Sequence, residues 1–587
     1  MSDLTLTEIW PFSSPLKEHY GYQFLYFFGE EMVYFPQENE IYAPKNKTLS
    51  FRTYMNAFPI KKWKDHTNVK DFFIRCNYKG GGGNLLIFGE TKQKRILLDT
   101  FQLPESDEEI SVTHKISDIY NKDILMLSCE ILCREDSYIK NVSYFTSENK
   151  LRSLNTGIVI TTYNRQADLI NAIESILPAI RDSQSKLFII NNGNEITIPF
   201  ESDKIHIIDN LNLGGSGGFA RGLYELIHEK NQFTHALFMD DDAYSHPSSL
   251  KKSMTFLEYC ADDNASIAGA MLYSGTPYLQ YELGATNTLY GIKSINQNHD
   301  MGYFENTIKN ELSDSPIFGP WWYFIFPIKK HIVPPFPFFV RGDDVAFSLQ
   351  NDFNIITLSS VSAWQPSFEY KISAPTEYLA NRSFLMLPIL DEGKHWDCKK
   401  VIAGFSQHIR REIDGYRYPI AEAMLAALED IMIGNSFWSD ERNTLARLAR
   451  LKQMEKQNSE ISQLHRASPT DHNQIGRKCG RVWYKLQLTL PLFARLKFRT
   501  PGISYNMWPQ PIEAAARKGM IYVSQADGYE IACRFNSKWA NDLLKREKIL
   551  RGLYEKKFSE MRTYYKNNFH SLQSWETWNT KFLQGDK

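Results

Sequence analysis

Buried strand patterns alternate with helical patterns between residues 157 and 242, and this alternation restricts the fold more than any other feature. Apolar runs of strand length begin at Gly157, Leu187, Ile205 and His235. The segment after the first run has apolar residues at helical spacing, namely Leu169, Ile170, Ile173, Ile176, Leu177 and Ile180. Strands that alternate with helices are typical of α/β domains built on a parallel sheet. We therefore expect an α/β domain over residues 151–395.

Three consecutive carboxylates, Asp240, Asp241 and Asp242, follow the strand that begins at His235. Adjacent carboxylates raise each other's pKa unless a cation or hydrogen-bond donors compensate. Hard divalent cations take oxygen ligands and often connect one or two carboxylates to substrate phosphates. Because side chains alternate in extended backbone, Asp240 and Asp242 can reach one ion while Asp241 points away. Taken alone, the triplet is weak evidence for a metal site, and a solvated loop that has no ligand is the simpler interpretation.

Other polar residues follow neighbouring strands of the same predicted sheet. Arg165 and Asn192 come directly after two of these strands, and the glycine-rich segment 212–222, which contains Arg221, opens a helix. Parallel α/β sheets bind ligands at the carboxyl ends of their strands, and arginine can pair bidentately with phosphate. We predict that Arg165, Asn192, Arg221 and Asp241 line a nucleotide pocket. A dinucleotide-binding loop is not favoured, because the glycine-rich segment does not follow the first strand.

A second carboxylate pair, Asp343 and Asp344, stands where a strand pattern passes into a helix. These residues can merely cap the helix. Two carboxylate sets in one α/β domain also suggest a division of labour, in which one set holds a metal ion and the other accepts a proton. The aromatic pair Trp321 and Trp322 precedes the second set and is a candidate surface for sugars.

The chain on either side of this domain has different patterns. Residues 1–150 show short, closely spaced strand patterns that predict a β-sandwich, which serves as a structural platform or as a carbohydrate-binding jelly roll. The four glycines Gly80 to Gly83 predict a hairpin loop. Residues 396–587 are mainly helical in pattern. Segment 472–512 has seven Lys and Arg residues, no Asp or Glu, and interleaved aromatic and leucine residues.

The basic and aromatic segment 472–512 has three interpretations: docking on an anionic membrane surface, a solvated face packed on the catalytic domain, or an arm that holds a partner subunit. The formal net charge of −1 gives no overall attraction to nucleic acid, so no nucleic-acid partner is expected. Seven scattered cysteines, the lack of a signal-peptide pattern and the lack of an apolar run near ~18 residues predict a cytoplasmic protein.

Five motifs in fixed order resemble those of glycosyltransferase family two with the GT-A fold. They are Thr-Thr-Tyr-Asn-Arg (161–165), Asn-Leu-Gly-Gly-Ser-Gly-Gly-Phe-Ala-Arg-Gly (212–222), Phe-Met-Asp-Asp-Asp (238–242), Trp-Trp (321–322) and Phe-Val-Arg-Gly-Asp-Asp (339–344). Within that family the chain is similar to the polymerising galactofuranosyltransferases, because segment 54–63 matches part of their N-terminal β-sandwich. The resemblance covers roughly residues 1–400. It implies an α/β GT-A (Rossmann-like) domain between an N-terminal β-sandwich and a mainly helical C-terminal region.

The resemblance also implies an activity, which is metal-dependent, inverting transfer of galactofuranose from UDP-galactofuranose to a lipid-linked glycan. Asp240 and Asp242 would bind Mn²⁺ or Mg²⁺. Asp344 would be the general base, and Asp343 would contact sugar or acceptor hydroxyls. Trp321 and Trp322 would stack on the sugars. The enzyme would be peripheral at the inner face of the cytoplasmic membrane, and a homo-oligomer is compatible with the pattern.

One position departs from the family pattern. The family has a histidine after the tryptophan that follows the Asp-Asp helix, and this histidine completes the metal site. Here Trp364 is followed by Gln365, whose amide oxygen is a weaker ligand, and His395 is an alternative third ligand from a loop. Two other interpretations of the function stay open. One is the same enzyme class with UDP-galactopyranose or a rhamnosyl nucleotide, and the other is a non-catalytic glycan-binding or scaffold protein.

Overall fold

The computed structural model of the protein describes residues 4–9, 20–117, 119, 123–229, 233–288, 291–367, 372–391, 394–463, 501–504, 514, 517–524 and 529–583. The predicted membrane-docking segment 472–512 lies outside the described residues, apart from 501–504. Within the described ranges, every helix is too short or too polar to cross a membrane.

The N-terminal region is built from strands, one 3₁₀ helix and one short α-helix. Its elements are β1 (Leu4–Ile9), a 3₁₀ helix (Tyr20–Leu25), β2 (Val33–Phe35), β3 (Glu40–Ala43), β4 (Thr48–Ser50), α1 (Ile60–His66), β5 (Phe73–Gly80), β6 (Gly83–Glu90), β7 (Arg95–Leu103), β8 (Ser106–Lys115), β9 (Met126–Cys133) and β10 (Ser137–Thr146). As far as the structure describes this region, the strands form two antiparallel sheets. One has the order β2-β3-β10-β5-β8 with β1 also paired to β10, and the other has the order β4-β9-β6-β7.

The four glycines Gly80 to Gly83 differ from the sequence expectation. They connect β5 of one sheet to β6 of the other, so they form a crossover between sheets and not a hairpin loop. The conformation requires glycine, because Gly82 has φ 67° and a Cβ there would lie 2.3 Å from the carbonyl oxygen of Leu103. The turn chemistry was recognisable in the sequence, but the pairing of the flanking strands was not.

Strands and helices alternate in the central region. Its strands are β11 (Thr156–Thr162), β12 (Lys186–Asn191), β13 (Ile205–Asp209), β14 (His235–Asp240), β15 (Tyr244–Ser245), β16 (Ala265–Tyr273), β17 (Thr276–Glu282), β18 (Ala285–Thr288), β19 (Gly291–Ser294), β20 (His299–Asp300), β21 (Phe324–Pro327) and β22 (Asn354–Gln365). Its helices are α2 (Gln166–Arg181), α3 (Gly214–His228), α4 (Pro247–Tyr259), α5 (Phe304–Glu311), α6 (Asp343–Asn351) and α7 (Ala374–Leu390).

Among the described residues, ten of these strands form one mixed sheet. The order is β13-β12-β11-β14-β21-β16-β17-β20, with β22 paired to β15 and β16. The first four strands are parallel, as the alternating pattern predicts. The side chains of β11, β12 and β14 are largely buried, whereas those of the edge strand β13 are partly exposed. Parallel sheets covered by helices on both faces have such near-continuous apolar strands. The carboxyl ends of β11, β12 and β14 therefore lie side by side.

The N-terminal sheets pack on the central region through an aromatic contact. Trp63 of α1 lies edge-on to Phe256 of α4, with ring centroids 5.0 Å apart, and stacks on Phe58 at 5.7 Å. Trp63 is buried, and so are residues 54–60. The segment that resembles the galactofuranosyltransferases thus contributes to the packing between the two regions.

The C-terminal region contains both helices and a small sheet. Its elements are α8 (Cys398–Asp414), α9 (Tyr418–Ile433), α10 (Asn435–Trp438), α11 (Glu441–Asn458), β23 (Glu460–Gln463), β24 (Gly502–Ser504), β25 (Gly519–Ser524), β26 (Tyr529–Arg534), α12 (Ser537–Gln573) and α13 (Trp575–Leu583). The described part of the sheet has the order β23-β26-β25-β24, which the helical sequence pattern does not suggest. Helix α7 packs on this region, since the hydroxyl of Tyr378 donates a 2.7 Å hydrogen bond to Asp430 of α9. The boundaries at 150 and 395 remain predictions.

Helix α13 returns to the central region and packs beneath the glycine-rich helix α3. The indole of Trp578 is fully buried and donates a hydrogen bond of 3.0 Å to the carbonyl oxygen of Pro335. A Cβ at Gly217 of α3 would lie 3.3 Å from the same indole. The last described helix therefore supports the segment that leads to Asp343.

Candidate active site

The polar ends of the parallel strands meet at one edge of the sheet. Thr161 of β11 pairs in register with Asp240 of β14, and Thr162 pairs with Asn191 of β12. The hydroxyl of Thr162 donates a 2.7 Å hydrogen bond to Asp241. The acidic triplet therefore stands over the centre of the parallel sheet, at the edge where such sheets bind ligands.

Two members of the triplet are buried, whereas Asp240 is partly exposed, and burial shifts the pKa of the middle member. Asp241 is 7% exposed and Asp242 is 4% exposed. Burial raises the pKa of Asp241 to about 7, although the hydrogen bond from Thr162 acts in the opposite direction. The guanidinium of Arg165 lies 2.7 Å from a carboxylate oxygen of Asp242 and 3.5 Å from one of Asp241. Arg165 therefore compensates part of the negative charge.

Gln365 connects the first and third carboxylates of the triplet. Its Nε2 lies 3.1 Å from Oδ2 of Asp240 and 2.5 Å from Oδ1 of Asp242, so one amide group donates to both. Its Oε1 is buried and, within the described residues, accepts no hydrogen bond. A buried acceptor without a partner is costly, and the two ends of an amide are distinguished only by such contacts. The position predicted as the third ligand thus lies between the two predicted metal ligands.

Asp343 and Asp344 begin helix α6 after an unusual backbone turn. Phe339, Arg341 and Gly342 all have φ between 74° and 76°. The hydroxyl of Ser216, in the first turn of α3, donates a 2.9 Å hydrogen bond to Asp343. This contact brings the glycine-rich segment and the second carboxylate pair together, two motifs that lie more than a hundred residues apart in the sequence.

Gly214 makes this approach possible. It has φ 69°, and a Cβ there would lie 2.1 Å from the carbonyl oxygen of Phe339. The same carbonyl accepts a 3.0 Å hydrogen bond from the amide of Ser216. A residue with a side chain at position 214 would separate α3 from the turn and weaken the support of Asp343.

Both carboxyl groups of the second pair hold their protons more tightly than usual. Burial raises the pKa of Asp343 to about 6, against the hydrogen bond from Ser216. The pKa of Asp344 is raised further above its usual range, first by burial and then by the charge of Asp343, with smaller contributions from Asp240 and Glu282. Asp344 is therefore close enough to the triplet for the two carboxylate sets to interact.

Glu282, at the end of β17, is a site residue that sequence reasoning missed. It is 6% exposed, burial raises its pKa to about 7, and the hydroxyl of Ser294 donates a hydrogen bond to it. The sequence carries a weak signal, because Gln280 and Glu282 place two polar side chains on one face of a strand. Only the sheet shows that this strand lies near Asp344.

Two predicted nucleotide-pocket residues have other partners. Asn192 donates a 3.0 Å hydrogen bond to the carbonyl of Gly214 and accepts one from Asn210, so it anchors the glycine-rich segment. Arg221 pairs with Glu225 one helical turn away, at 2.6 Å, and its guanidinium lies over the ring of Phe582 in α13. The structure thus groups Arg165 with the triplet, whereas Arg221 faces the C-terminal helix.

The tryptophan pair also differs from the sequence expectation. Trp321 is 5% exposed and packs against the rings of Phe219 and Phe238, at centroid distances of 4.7 and 5.3 Å. Trp322 is 6% exposed and donates a hydrogen bond to the carbonyl of Gly269. These indoles belong to the core, so they offer little surface on which a sugar could stack.

No group of three or more His, Cys, Asp or Glu side chains in the described chain is arranged to hold a metal ion. The side chain that lies between Asp240 and Asp242 is the amide of Gln365, which is not one of these four residue types. His395, the alternative ligand, is occupied elsewhere, with its Nδ1 2.5 Å from Asp391.

Comparison with known proteins finds similarity to glycosyltransferases. Residues 155–299 match a family profile described as "Glycosyltransferase like family 2". The chain is 22% identical over 419 residues to galactofuranosyltransferase GlfT2 of Mycolicibacterium smegmatis, covering 66% of this chain and 64% of the relative. It is 22% identical over 421 residues to GlfT2 of Mycobacterium tuberculosis, covering 66% of this chain and 65% of that relative. The matched region therefore spans just under two thirds of the relatives' length.

Among solved structures, the chain aligns with GalNAc-T7 bound to UDP, GalNAc and Mn²⁺. The TM-score is 0.31 at 9% identity, covering 45% of this chain and 56% of that one. A score this low does not establish a shared architecture. Residues 155–299 thus resemble glycosyltransferase family 2 domains, and the chain is similar to galactofuranosyltransferases.

Proposed function

We propose that the protein is a metal-dependent, inverting glycosyltransferase with the GT-A fold, which transfers galactofuranose from UDP-galactofuranose to a growing glycan. The strongest support is that the two carboxylate sets, Asp240–Asp242 and Asp343–Asp344, lie together at one edge of the sheet. Gln365 connects Asp240 to Asp242. Helix α3 links the two sets, because Ser216 donates to Asp343 and a Cβ at Gly218 would lie 2.2 Å from Thr161, the register partner of Asp240. The choice of sugar rests on the names of the curated relatives.

The atoms around the triplet suit Mn²⁺ or Mg²⁺. Two carboxylates flank one amide, and the unpartnered Oε1 of Gln365 exchanges places with Nε2 when the amide turns over. Three oxygen atoms would then face one position, which is the ligand chemistry that hard divalent cations prefer. Asp240, Asp242 and Gln365 are the residues that would hold the ion. When bound, the ion would neutralise the charge that develops on the departing UDP.

Asp344 is assigned as the general base. It accepts the proton of the acceptor hydroxyl while that oxygen bonds to the anomeric carbon and the bond from that carbon to UDP breaks. Attack from the face opposite UDP inverts the anomeric centre. Asp343, fixed by Ser216, is assigned to contact sugar or acceptor hydroxyls.

Arg165 is assigned to the diphosphate of the sugar nucleotide. We expect Arg165→Ala to weaken UDP binding about 10- to 100-fold, the scale of one lost charge-assisted hydrogen bond. Arg221→Ala is the matched control, because that guanidinium is paired with Glu225 and covers Phe582. Titration of UDP into each variant with metal present measures both affinities. An equal loss of UDP affinity in the two variants would contradict the inference that Arg165, and not Arg221, contacts the diphosphate.

The acceptor is proposed to be lipid-linked, and the enzyme to act as a peripheral protein at the inner face of the cytoplasmic membrane. The basic composition of segment 472–512 supports this proposal. Binding to anionic vesicles should weaken with salt, because exposed charges are screened over ~10 Å at 0.1 M. Equal, salt-insensitive recovery with neutral and anionic vesicles would remove the electrostatic part of the proposal.

The decisive test of the function is UDP release from a panel of nucleotide sugars with Mn²⁺ or Mg²⁺ and a glycan acceptor. We expect release from UDP-galactofuranose that depends on the acceptor. Release only from UDP-galactopyranose or a rhamnosyl nucleotide would keep the enzyme class and change the sugar. Absence of turnover with every nucleotide sugar, together with glycan binding, would favour a non-catalytic glycan-binding protein.

A further inference from the structure

Four aromatic residues, two partly buried and two exposed, lie where the N-terminal 3₁₀ helix meets strand β17. The rings of Tyr22, Phe24 and Tyr278 lie within 5.4 to 6.0 Å of one another. Tyr303 follows Gly302, where a Cβ would lie 2.8 Å from the ring of Phe24. Phe24 is 36% exposed and Tyr303 is 66% exposed. We call Tyr22, Phe24, Tyr278 and Tyr303 the aromatic platform.

Strand β17 connects the aromatic platform to the candidate active site, because it contains Tyr278 and ends at Glu282. Tyr273 of β16 pairs in register with Gln365, the residue that connects Asp240 to Asp242. The ring of Tyr273 lies 5.6 Å from that of Tyr281 in β17. Three residues along the same strand is Tyr278, a distance of about 10 Å in extended backbone. Tyr278 and Glu282 are four residues apart on this strand, about 14 Å in extended backbone, so the platform lies within one strand length of the carboxylates.

Polar groups border these rings. The hydroxyl of Tyr273 donates a 3.1 Å hydrogen bond to Asn298, which is exposed, and Asp300 lies in the turn before Tyr303. Tyrosine has an apolar ring face and a hydroxyl at its edge. A surface of flat apolar faces interleaved with carboxamide, carboxylate and phenol groups suits a sugar chain, which has apolar C–H faces and hydroxyl edges. A lipid tail or a protein core contact would favour a more continuous apolar surface.

Because Trp321 and Trp322 are buried, a bound glycan would have to stack on other aromatic side chains. A glycosyltransferase that extends a glycan has to hold that glycan while its last sugar lies at the base. The indoles of Trp321 and Trp322 are part of the core, as shown above. Of the platform rings, that of Tyr278 lies on β17, and the exposed rings of Phe24 and Tyr303 lie beside that strand.

We propose that the aromatic platform binds the acceptor glycan several sugar units away from the carboxylate site. This proposal rests on the proposed function, because it names a second contact for the substrate of that reaction. The platform would bind long acceptors better than short ones, and it would contribute nothing to binding of the sugar nucleotide.

The test compares a disaccharide and a hexasaccharide of galactofuranose, titrated calorimetrically into the full chain and its variants. We expect Phe24→Ala and Tyr303→Ala each to weaken hexasaccharide binding about 3- to 10-fold, the scale of one aromatic contact. Disaccharide affinity and UDP affinity should not change. Tyr303→Phe keeps the ring and should retain most of the binding.

Tyr138→Ala is the matched control, because Tyr138 is also 36% exposed but lies on strand β10 of the N-terminal sheet. Wild-type hexasaccharide affinity in both platform variants would overturn the proposal, as would a loss confined to Tyr138→Ala. Equal affinity of the wild-type chain for the two oligosaccharides would overturn it too. In each of these cases, UDP release from UDP-galactofuranose would leave the proposed function standing, and its absence would contradict the function as well.

Discussion

Replacement of Asp344 by asparagine is expected to lower turnover about 10²- to 10⁴-fold while binding of UDP-galactofuranose with metal is retained. The acceptor hydroxyl loses its proton only as the new bond forms, so the base acts in the chemical step and not in binding. Asp343→Asn is the matched control, because an amide oxygen can still accept the hydrogen bond from Ser216. Single-turnover kinetics and sugar-nucleotide titration separate the two steps. Near-normal turnover of Asp344→Asn with loss in Asp343→Asn would exchange the roles, and activity in both would refute the assignment.

The raised pKa of Asp344 gives the same prediction a pH dependence. A carboxyl group serves as a base only when ionised, so turnover should rise as pH increases through the folded-state pKa and fall below it. Burial is the main cause of the raised pKa, followed by the charge of Asp343, and Glu282 makes a smaller contribution. Glu282→Gln should therefore move the acidic limb of the profile to lower pH. An acidic limb at unchanged pH in this variant would contradict the contact between these carboxylates.

The raised pKa of Asp344 also predicts the stability of Asp344→Asn, which distinguishes a loss of catalysis from a loss of folding. A carboxyl group whose pKa is higher in the folded than in the unfolded state destabilises the fold as pH rises above its unfolded-state value. Asparagine removes that unfavourable ionisation, so Asp344→Asn should be at least as stable as the wild type at neutral pH. A lower melting temperature would show instead that the carboxylate is held by favourable contacts.

Removal of divalent metal is expected to have the second large effect, a loss of turnover of at least about 100-fold, the scale of losing one electrostatic contact to a transition state. Asp240 and Asp242 would otherwise repel the diphosphate that they are meant to hold through the ion. Turnover in excess chelator, and its recovery with Mn²⁺ or Mg²⁺, measures the effect. Full turnover with all metal removed would mean that the triplet is not a metal site.

Gln365 offers a sharper test of the same site. Gln365→His should tighten Mn²⁺ binding, because imidazole is a better ligand than an amide oxygen for this ion. Gln365→Leu removes the amide that lies between Asp240 and Asp242 and should weaken Mn²⁺ binding. Titration of Mn²⁺ in the presence of UDP compares the three proteins. Equal affinities would place the third ligand elsewhere.

The parallel core and its strand-end residues were predictable from the sequence. Strand and helix periodicity are local properties, so the runs beginning at Gly157 and His235 identified β11 and β14 without knowledge of their partners. Parallel strands place their carboxyl ends at one edge, and the structure accordingly brings Arg165 to the triplet. The position of Gln365 between Asp240 and Asp242 followed from the family resemblance and not from periodicity.

Side-chain directions were less predictable. Arg221 and the tryptophan pair were assigned to the site by their place in the sequence, but a helix or turn presents several faces. Packing of α13 on α3 turns Arg221 toward Phe582, and the Phe219–Phe238 contact draws Trp321 into the core. These contacts join segments that are distant in the chain, so no local pattern reports them.

The sequence by itself determined the strands and helices of the parallel core, and which edge of the sheet carries the acidic triplet, because these follow from apolar periodicity and strand direction. It did not indicate the C-terminal sheet β23-β26-β25-β24. The tertiary structure alone decided which polar side chains share that edge, because burial and hydrogen bonding depend on what packs against each element. It joined Ser216 to Asp343 through the close approach at Gly214, brought Glu282 near Asp344, and left the rings of Phe24 and Tyr303 at the surface. Periodicity is set residue by residue along the chain, whereas these contacts exist only once the sheet has assembled.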